Sequence, residues 1–353
     1  MPDKLDQMRT LGADWWNDSC NMSQLAEAVS KGATGATSNP VIVEAAVNAD
    51  RATWLPVITK LARDFPHDSN ADIAWKLIAQ IGRQAAEILL PVYEKTRGEK
   101  GYLSLQVNPQ NHLDPEKMFS QAVELAGIAP NIAIKLPTTA SGLATAERLV
   151  GEGIPVNTTI SFSVSQAIAA AEAIERGLDR YEHDGGDPDK VHPYVTIMVG
   201  RVTDYLNRIA SRDNVDPLPE NATTFAGVYV FKKAARRFKE RRFQSTLLAA
   251  AYRHELHWSQ IIGPGILQSI PYDWWKAFNG SDFAVRETLW EREDPSVLKA
   301  LQETFPDFDK VYRSDALSSD AFQTFEATSH TLEQFIEGYE KLLFIIEETR
   351  AQA

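Results

Sequence analysis

The sequence predicts an α/β protein, a closed (β/α)8 barrel with additional C-terminal helices. Three observations carry that expectation. Eight short strand-like stretches recur along the chain, nearly all are followed by a helix-like segment, and 353 residues are enough for one large α/β domain. An open doubly wound sheet fits this count and length less well.

The elements follow in order. Residues 13–18, Ala-Asp-Trp-Trp-Asn-Asp, read as a short aromatic strand, ahead of a helix over 23–30 that Gly32 stops. Residues 35–40 read as a second strand end, because Pro40 biases Asn39 toward an extended backbone. From 50 to about 97 the pattern is helical and broken near Phe65-Pro66, with Ile73, Leu77, Ile78, Ile81, Ala85, Ile88 and Leu89 on one face. Residues 102–107 make a third strand, and Asp114-Pro115 is an N-cap and first-turn pair opening a helix that ends at Gly127.

The fourth strand, 131–137, carries an anomaly. Ile132, Ile134 and Leu136 alternate with Ala133 and Lys135, so a strand apolar enough for burial on both faces also holds an ammonium group. A buried lysine pairs with a carboxylate or gives up its proton, and the free amine attacks carbonyls. The alternative is a strand-end lysine whose head reaches water.

Alternation continues with a helix over 141–152, a strand over 154–160, an Ala-rich helix over 163–176 and a strand over 194–199 that runs into Gly200-Arg201 and a helix to about 211. A polar loop spans 213–221. Then come a helix over 222–242, a strand over 243–250, a helix over 253–262, the last strand over 265–270 and a short aromatic helix from Pro271. Residues 281–353 read as helices packed on the barrel within one domain over 1–353. The last of them shows a stripe of Leu332, Phe335, Ile336, Tyr339, Leu342, Leu343 and Ile346.

Composition excludes several classes. Net charge is -12, from 36 basic and 48 acidic residues, which disfavours the broad basic surface of a nucleic-acid binder. The basic run 232–242 reads as a solvated helical face with Phe231 and Phe238 on its inner stripe. The single cysteine, Cys20, excludes an intrachain disulfide and fits a reducing compartment. With no apolar leader-like start and no membrane-length run, a cytoplasmic protein with no membrane association is the expectation. One cysteine also rules out a multi-thiolate metal site. His254-Glu255-Leu256-His257 spaces its histidines three apart rather than the four of a zinc-binding helix, so it reads as a helix face and no metal is expected.

In such a barrel chemistry collects at the C-terminal ends of the strands. Those ends supply Asp18, Asn39, Gln106, Lys135, Asn157, Thr159, Thr196 and Arg201, with Arg253 just beyond the seventh strand. An amine, a carboxylate, amides, hydroxyls and two guanidinium groups suit a carbonyl reaction on an anionic substrate. Singly, each has a plainer explanation: Asp18 and Asn39 as caps, Thr159 as a β-former, the arginines as surface residues.

The segments Thr37-Ser38-Asn39-Pro40, Ile132-Ala-Ile-Lys135-Leu-Pro, Glu152-Gly-Ile-Pro-Val-Asn157-Thr-Thr159, Val199-Gly200-Arg201 and Ala250-Ala-Tyr252-Arg253 resemble, in order and spacing, those of transaldolases, from about 14 to 278. That resemblance implies Lys135 as the Schiff-base lysine and Asp18 as the general acid/base at the C4 hydroxyl. It implies Asn39 and Asn157 as ligands of the dihydroxyacetone moiety, Gln106 and Thr159 around a catalytic water, and Thr196 in the place of a common serine. Arg201 and Arg253 correspond to the pair that grips the sugar phosphate. The activity implied is transfer of a dihydroxyacetone unit between sugar phosphates in the pentose phosphate pathway, with no cofactor, small-molecule partners only and a homodimer as an open option.

Four positions depart from the pattern. Gln106 stands where transaldolases usually carry a glutamate, and a glutamine orients a water without taking its proton. Fructose 6-phosphate aldolases carry a glutamine there but also a tyrosine where this chain has Met198. Thr196 keeps the hydroxyl of the usual serine, and Ala251 loses one near the phosphate. A fructose 6-phosphate aldolase, a relative acting on another anionic ketose, and a non-catalytic sugar-phosphate-binding barrel therefore stay open beside the transaldolase.

Overall fold

A computed structural model describes residues 3–215 and 217–352. In chain order the first half runs α1 (Lys4–Thr10), β1 (Ala13–Asn17), α2 (Met22–Ser30), β2 (Gly35–Thr37), α3 (Pro40–Ala49), α4 (Arg51–Asp64), α5 (Asn70–Lys95), β3 (Tyr102–Gln106), α6 (Pro115–Ala126), β4 (Ile132–Pro137), α7 (Ala140–Val150) and β5 (Val156–Thr159). The second half continues with α8 (Val164–His183), β6 (Tyr194–Met198), α9 (Val199–Asp213), α10 (Ala222–Arg241), β7 (Thr246–Ala250), α11 (Leu256–Ser259), β8 (Ile266–Ile270), α12 (Tyr272–Gly280), α13 (Pro295–Thr304), α14 (Pro306–Tyr312) and α15 (Glu326–Ala351). Eight parallel strands close in sequence order, β8 pairing back onto β1 through Trp16 opposite Ser269. The expected (β/α)8 barrel is the fold of the chain.

Most departures from the expected elements have a backbone cause. Pro40 does not end a strand: Asn39 is extended (φ -160°, ψ 170°) but its Oδ1 accepts the Ile42 N–H at 2.9 Å, so Asn39-Pro40 is the N-cap and first residue of α3. β7 starts at Thr246 rather than at 243, because Arg242 is left-handed (φ 56°) and Phe243 folds back on Phe238 with ring centroids 5.1 Å apart. β5 stops at Thr159, where Ile160 turns left-handed (φ 59°). The helix expected over 253–262 shrinks to the single turn of α11. Lys232 departs from the expected solvated face: it is buried, and burial pushes its ammonium down to about 8.

The barrel interior has two storeys. Trp16, Tyr102, Ala133, Tyr194, Leu248 and Leu267 form an apolar cluster, distinct from the core between strands and helices, that reaches up to Ala250 at the end of β7. Trp16 meets Tyr194 edge-on at 4.6 Å. The indole fits because β2 begins with Gly35: a Cβ there would lie 2.5 Å from the Trp16 ring and 2.7 Å from the Tyr102 carbonyl oxygen. Above this cluster the interior turns polar.

The last helices pack onto the barrel. α13 and α14 lie on α10, while α15 runs along α3, α4 and α5 and reaches α9. The buried stripe of α15 includes Leu332, Phe335, Tyr339, Leu342 and Ile346 as expected; Ile336 and Leu343 sit at its edge, and Ile345 joins the buried side. Gly338 lets α15 approach α3 closely, since a Cβ there would lie 2.6 Å from Val41 Cγ2. Among the described residues no helix is long and apolar enough to cross a membrane.

Candidate active site at the barrel mouth

Strand register gathers the polar strand ends. Gln106, Lys135 and Asn157 are Cα partners on β3, β4 and β5, so the three lie side by side across adjacent strands, with Pro137 opposite Thr159 two residues further along. Lys135 is buried and its Nζ donates to the Ser38 carbonyl at 3.2 Å. Asp18 follows β1, its N–H bonded to the Ile270 carbonyl at 3.0 Å. Its Oδ1 accepts a short hydrogen bond from Thr37 Oγ1, which also pairs with Ser269 Oγ at 2.7 Å.

Burial shifts both ionisable groups toward neutrality. Desolvation holds the Lys135 ammonium below the ordinary lysine range, with Asp18 opposing and Arg201 adding to the shift. Desolvation raises the Asp18 carboxyl, against the pull of Lys135 first, then of Thr37, Arg253 and Arg201. A free amine and a carboxyl able to carry a proton are the two forms a carbonyl addition needs.

The neutral groups divide into satisfied and unsatisfied. Asn157 Nδ2 donates to Ser104 Oγ at 3.0 Å and its Oδ1 accepts from Thr196 Oγ1 at 2.7 Å, so this β5 amide is held by two other strands, β3 and β6. Gln106 Oε1 and Thr159 Oγ1 are buried without a hydrogen-bond partner among the described residues, on the strands flanking Lys135. Buried polar atoms left open beside a buried amine suit a water or a substrate oxygen. Asn39 spends its Oδ1 on the α3 cap, so its remaining hydrogen-bonding capacity is chiefly that of a donor, through Nδ2. A cleft of about 280 Å³, lined by Asn21, Gln24, Ala46, Tyr272 and Asp273 among others, touches this site through Asp18 alone.

The two arginines stand at the β6 and β7 ends. Arg201 is in the first turn of α9, whose N-terminus Met198 caps without a side-chain hydrogen bond. Uncapped amides and the helix dipole favour an anion there. Burial and then the neighbouring Arg253 push Arg201 down to about 10. Arg253 Nε is 3.1 Å from Asp204 Oδ2 and its Nη1 donates to the Tyr252 carbonyl at 2.9 Å. Gly200 permits the close approach of the two ends, because a Cβ would strike the carbonyl of left-handed Ala251 (φ 63°).

Sequence reasoning missed three participants. His257 is buried inside rather than on a helix face; its Nδ1 accepts the Arg253 N–H at 3.1 Å and its Nε2 lies 3.1 Å from Thr203 Oγ1. Burial pushes it down to about 3, so the ring is neutral, as an acceptor must be. Gln334 and Phe335 of α15 reach Arg201, the glutamine through a short bond to Nη1 and the ring with its centroid 5.9 Å from Cζ. The histidine spacing marked His257 only as an unmatched motif, and no local pattern ties residue 334 to residue 201.

A sequence profile described as Transaldolase/Fructose-6-phosphate aldolase matches residues 15–336. The chain belongs to that family. The match extends beyond the stretch ending near 278 that the motifs covered, and takes in Gln334 and Phe335. A transaldolase of Trichodesmium erythraeum is 34% identical over 206 residues, 56% of this chain and 53% of that protein. "Transaldolase 1" of Streptomyces avermitilis is 25% identical over 296 residues, 76% of this chain and 78% of its own length. A Thermobifida fusca transaldolase is 31% identical over 221 residues, 60% of this chain and 59% of that protein. This chain therefore spans little more than half the length of the first and third of these relatives. Within this family, Lys135, Asp18, Gln106 and Asn157 share one barrel mouth with Arg201 and Arg253 at its rim.

Proposed function

We propose that this transaldolase-family protein moves a dihydroxyacetone unit from a ketose phosphate, fructose 6-phosphate or sedoheptulose 7-phosphate, to an aldose phosphate through a Schiff base on Lys135. The supporting observation is the buried amine of Lys135, its ammonium lowered by desolvation, facing the charge of Asp18. Lys135 Nζ adds to the C2 ketone, and loss of water past Gln106 and Thr159 gives a protonated imine. Asp18 takes the C4 hydroxyl proton as the C3–C4 bond breaks; the pair of electrons flows to the imine nitrogen and the aldehyde phosphate leaves. The enamine, held by Asn39, Asn157 and Thr196, then attacks an acceptor aldehyde, whose oxygen recovers the proton from Asp18. Addition of water returns the free amine. Arg201 and Arg253 hold the phosphate of donor and acceptor in turn. The imine supplies the electron sink, so the proposed steps draw on no cofactor. The partners of the reading are small-molecule sugar phosphates in the pentose phosphate pathway, in the cytoplasm.

Gln106 supports a second reading. A site without a general base beside the imine suits an aldolase that releases dihydroxyacetone, or a relative acting on another anionic ketose. Borohydride reduction in the presence of fructose 6-phosphate, followed by peptide mass spectrometry, tests both: a reduced adduct on Lys135 is expected, and its absence sinks the enzyme reading in favour of a binding barrel. Turnover that requires erythrose 4-phosphate supports the transferase; cleavage that proceeds equally without an acceptor supports the aldolase.

A further inference from the structure

Gln334 lies on α15, far along the chain from the barrel strands, yet its Oε1 accepts from Arg201 Nη1. The amide is oriented. Its Nε2 is 3.1 Å from His330 Nε2, one turn earlier on the same helix, and a ring nitrogen accepting there leaves Oε1 toward the guanidinium. A reversed amide would set N–H groups against N–H groups.

Three further features make this contact more than a surface pairing. Arg201 Nε is buried and without a hydrogen-bond partner among the described residues, so its N–H is a donor left unspent while Gln334 holds Nη1. Arg253 repels Arg201, which would favour a swing away from the mouth unless something holds it. α15 itself is anchored on both sides of Gln334, by Gln166 Nε2 donating to Thr328 Oγ1 at 3.2 Å and by Gly338 seated on Val41.

We propose that Gln334 is a positioning residue for the phosphate end of the substrate: it pins Arg201 by Nη1 and presents the Nε side of the guanidinium to a phosphoryl oxygen, while His330 sets the amide's orientation. The inference rests on the reading of Arg201 as a phosphate ligand. It makes the helix added after the barrel a part of the site's specificity for phosphorylated sugars.

The test uses the full chain, with inorganic phosphate binding by titration calorimetry and steady-state kinetics with fructose 6-phosphate. Gln334→Met keeps length and volume and drops both polar atoms. The phosphate Kd and the KM both rise about tenfold, as expected for loss of one hydrogen bond to a charged group, while kcat changes by less than about twofold. His330→Leu gives a smaller rise in the same direction, and the double variant is no worse than Gln334→Met alone, because both act through one contact. If thermal unfolding shows Gln334→Met to be misfolded, His330→Leu, which keeps the glutamine, decides by the same shift. A wild-type protein that binds no phosphate overturns the phosphate site itself and this role with it. A wild-type protein that binds while Gln334→Met binds equally well, or a kcat loss at constant KM, overturns the role of Gln334 alone.

Discussion

The floor and the mouth of this barrel are built from the same strands a few residues apart, and they obey opposite rules. On the floor Trp16, Tyr102, Tyr194 and Leu248 fill space, and burial drives the two phenols well above their ordinary range, where they stay inert. At the mouth burial drives Lys135 toward its free amine and lifts the Asp18 carboxyl against the pull of Lys135, and Gln106 Oε1 and Thr159 Oγ1 are left without partners among the described residues. β4 shows the switch within two residues: Ala133 belongs to the apolar cluster and Lys135 to the site. Desolvation is common to both storeys. What differs is which form it favours: burial keeps a phenol in the neutral form it already has near neutral pH, whereas it turns an ammonium into a free amine, the form that attacks carbonyls.

Substitutions at the mouth should therefore cost activity and those on the floor stability. Lys135→Met is expected to show the largest effect, with no borohydride-trapped adduct and no turnover from a folded protein. Because the folded pKa of Lys135 lies below its unfolded value, the unfolded chain binds more protons between the two and stability rises with pH across that interval. In the variant the gain in unfolding midpoint as pH rises toward the ordinary lysine range should shrink; an unchanged or larger gain would break the comparison. Asp18→Asn comes next, with turnover reduced about 10²–10⁴-fold. Trapping should persist, with its half-maximal pH moved lower, since the lost carboxylate is the group that raised the Lys135 pKa.

The floor supplies the smaller effects. Gly35→Ala forces a methyl against the Trp16 ring and the Tyr102 carbonyl and should cost about 1–3 kcal/mol in urea unfolding. Adduct formation per folded molecule should stay at the wild-type level; a selective loss of trapping would mean the two storeys are coupled. Smallest is Lys100→Gln, which removes the 2.6 Å ion pair to Asp14 below the aromatic cluster. Both partners are partly exposed, so under about 1 kcal/mol is expected, and a larger loss would place a buried charge where none is inferred.

The strands were legible because each is a short, largely apolar run separated from the next by a helical pattern, and the parallel closure follows from the helices between them. The members of the site contributed by those strand ends, from Asp18 to Arg201, could be named for the same reason. Asn39-Pro40 was half read: the extended asparagine was correct, but the pair is also a helix start, which its cap-and-proline chemistry signals. Ile160 and Arg242 gave no warning, since a left-handed backbone at a β-branched or long side chain is imposed by tertiary contacts. His257 and Gln334 were hidden for a related reason. Each has one partner four residues away, but the contacts that tie them into the fold, to Thr203 and Arg201, span 54 and 133 positions, beyond any periodicity.

Two of the left-handed residues, Ile160 and Ala251, close the strands beside Thr159 and Arg253, and they predict unequal evolutionary latitude. Glycine at 251 gains about 1 kcal/mol of backbone relief and gives back a similar amount in chain entropy, so drift between the two residues there should pass unnoticed. Glycine at 160 also relaxes the turn, by about 1–3 kcal/mol, but it empties a fully buried aliphatic pocket at a cost of about 2–5 kcal/mol. In a saturation library position 160 should accept almost nothing, although its side chain has no part in the proposed chemistry.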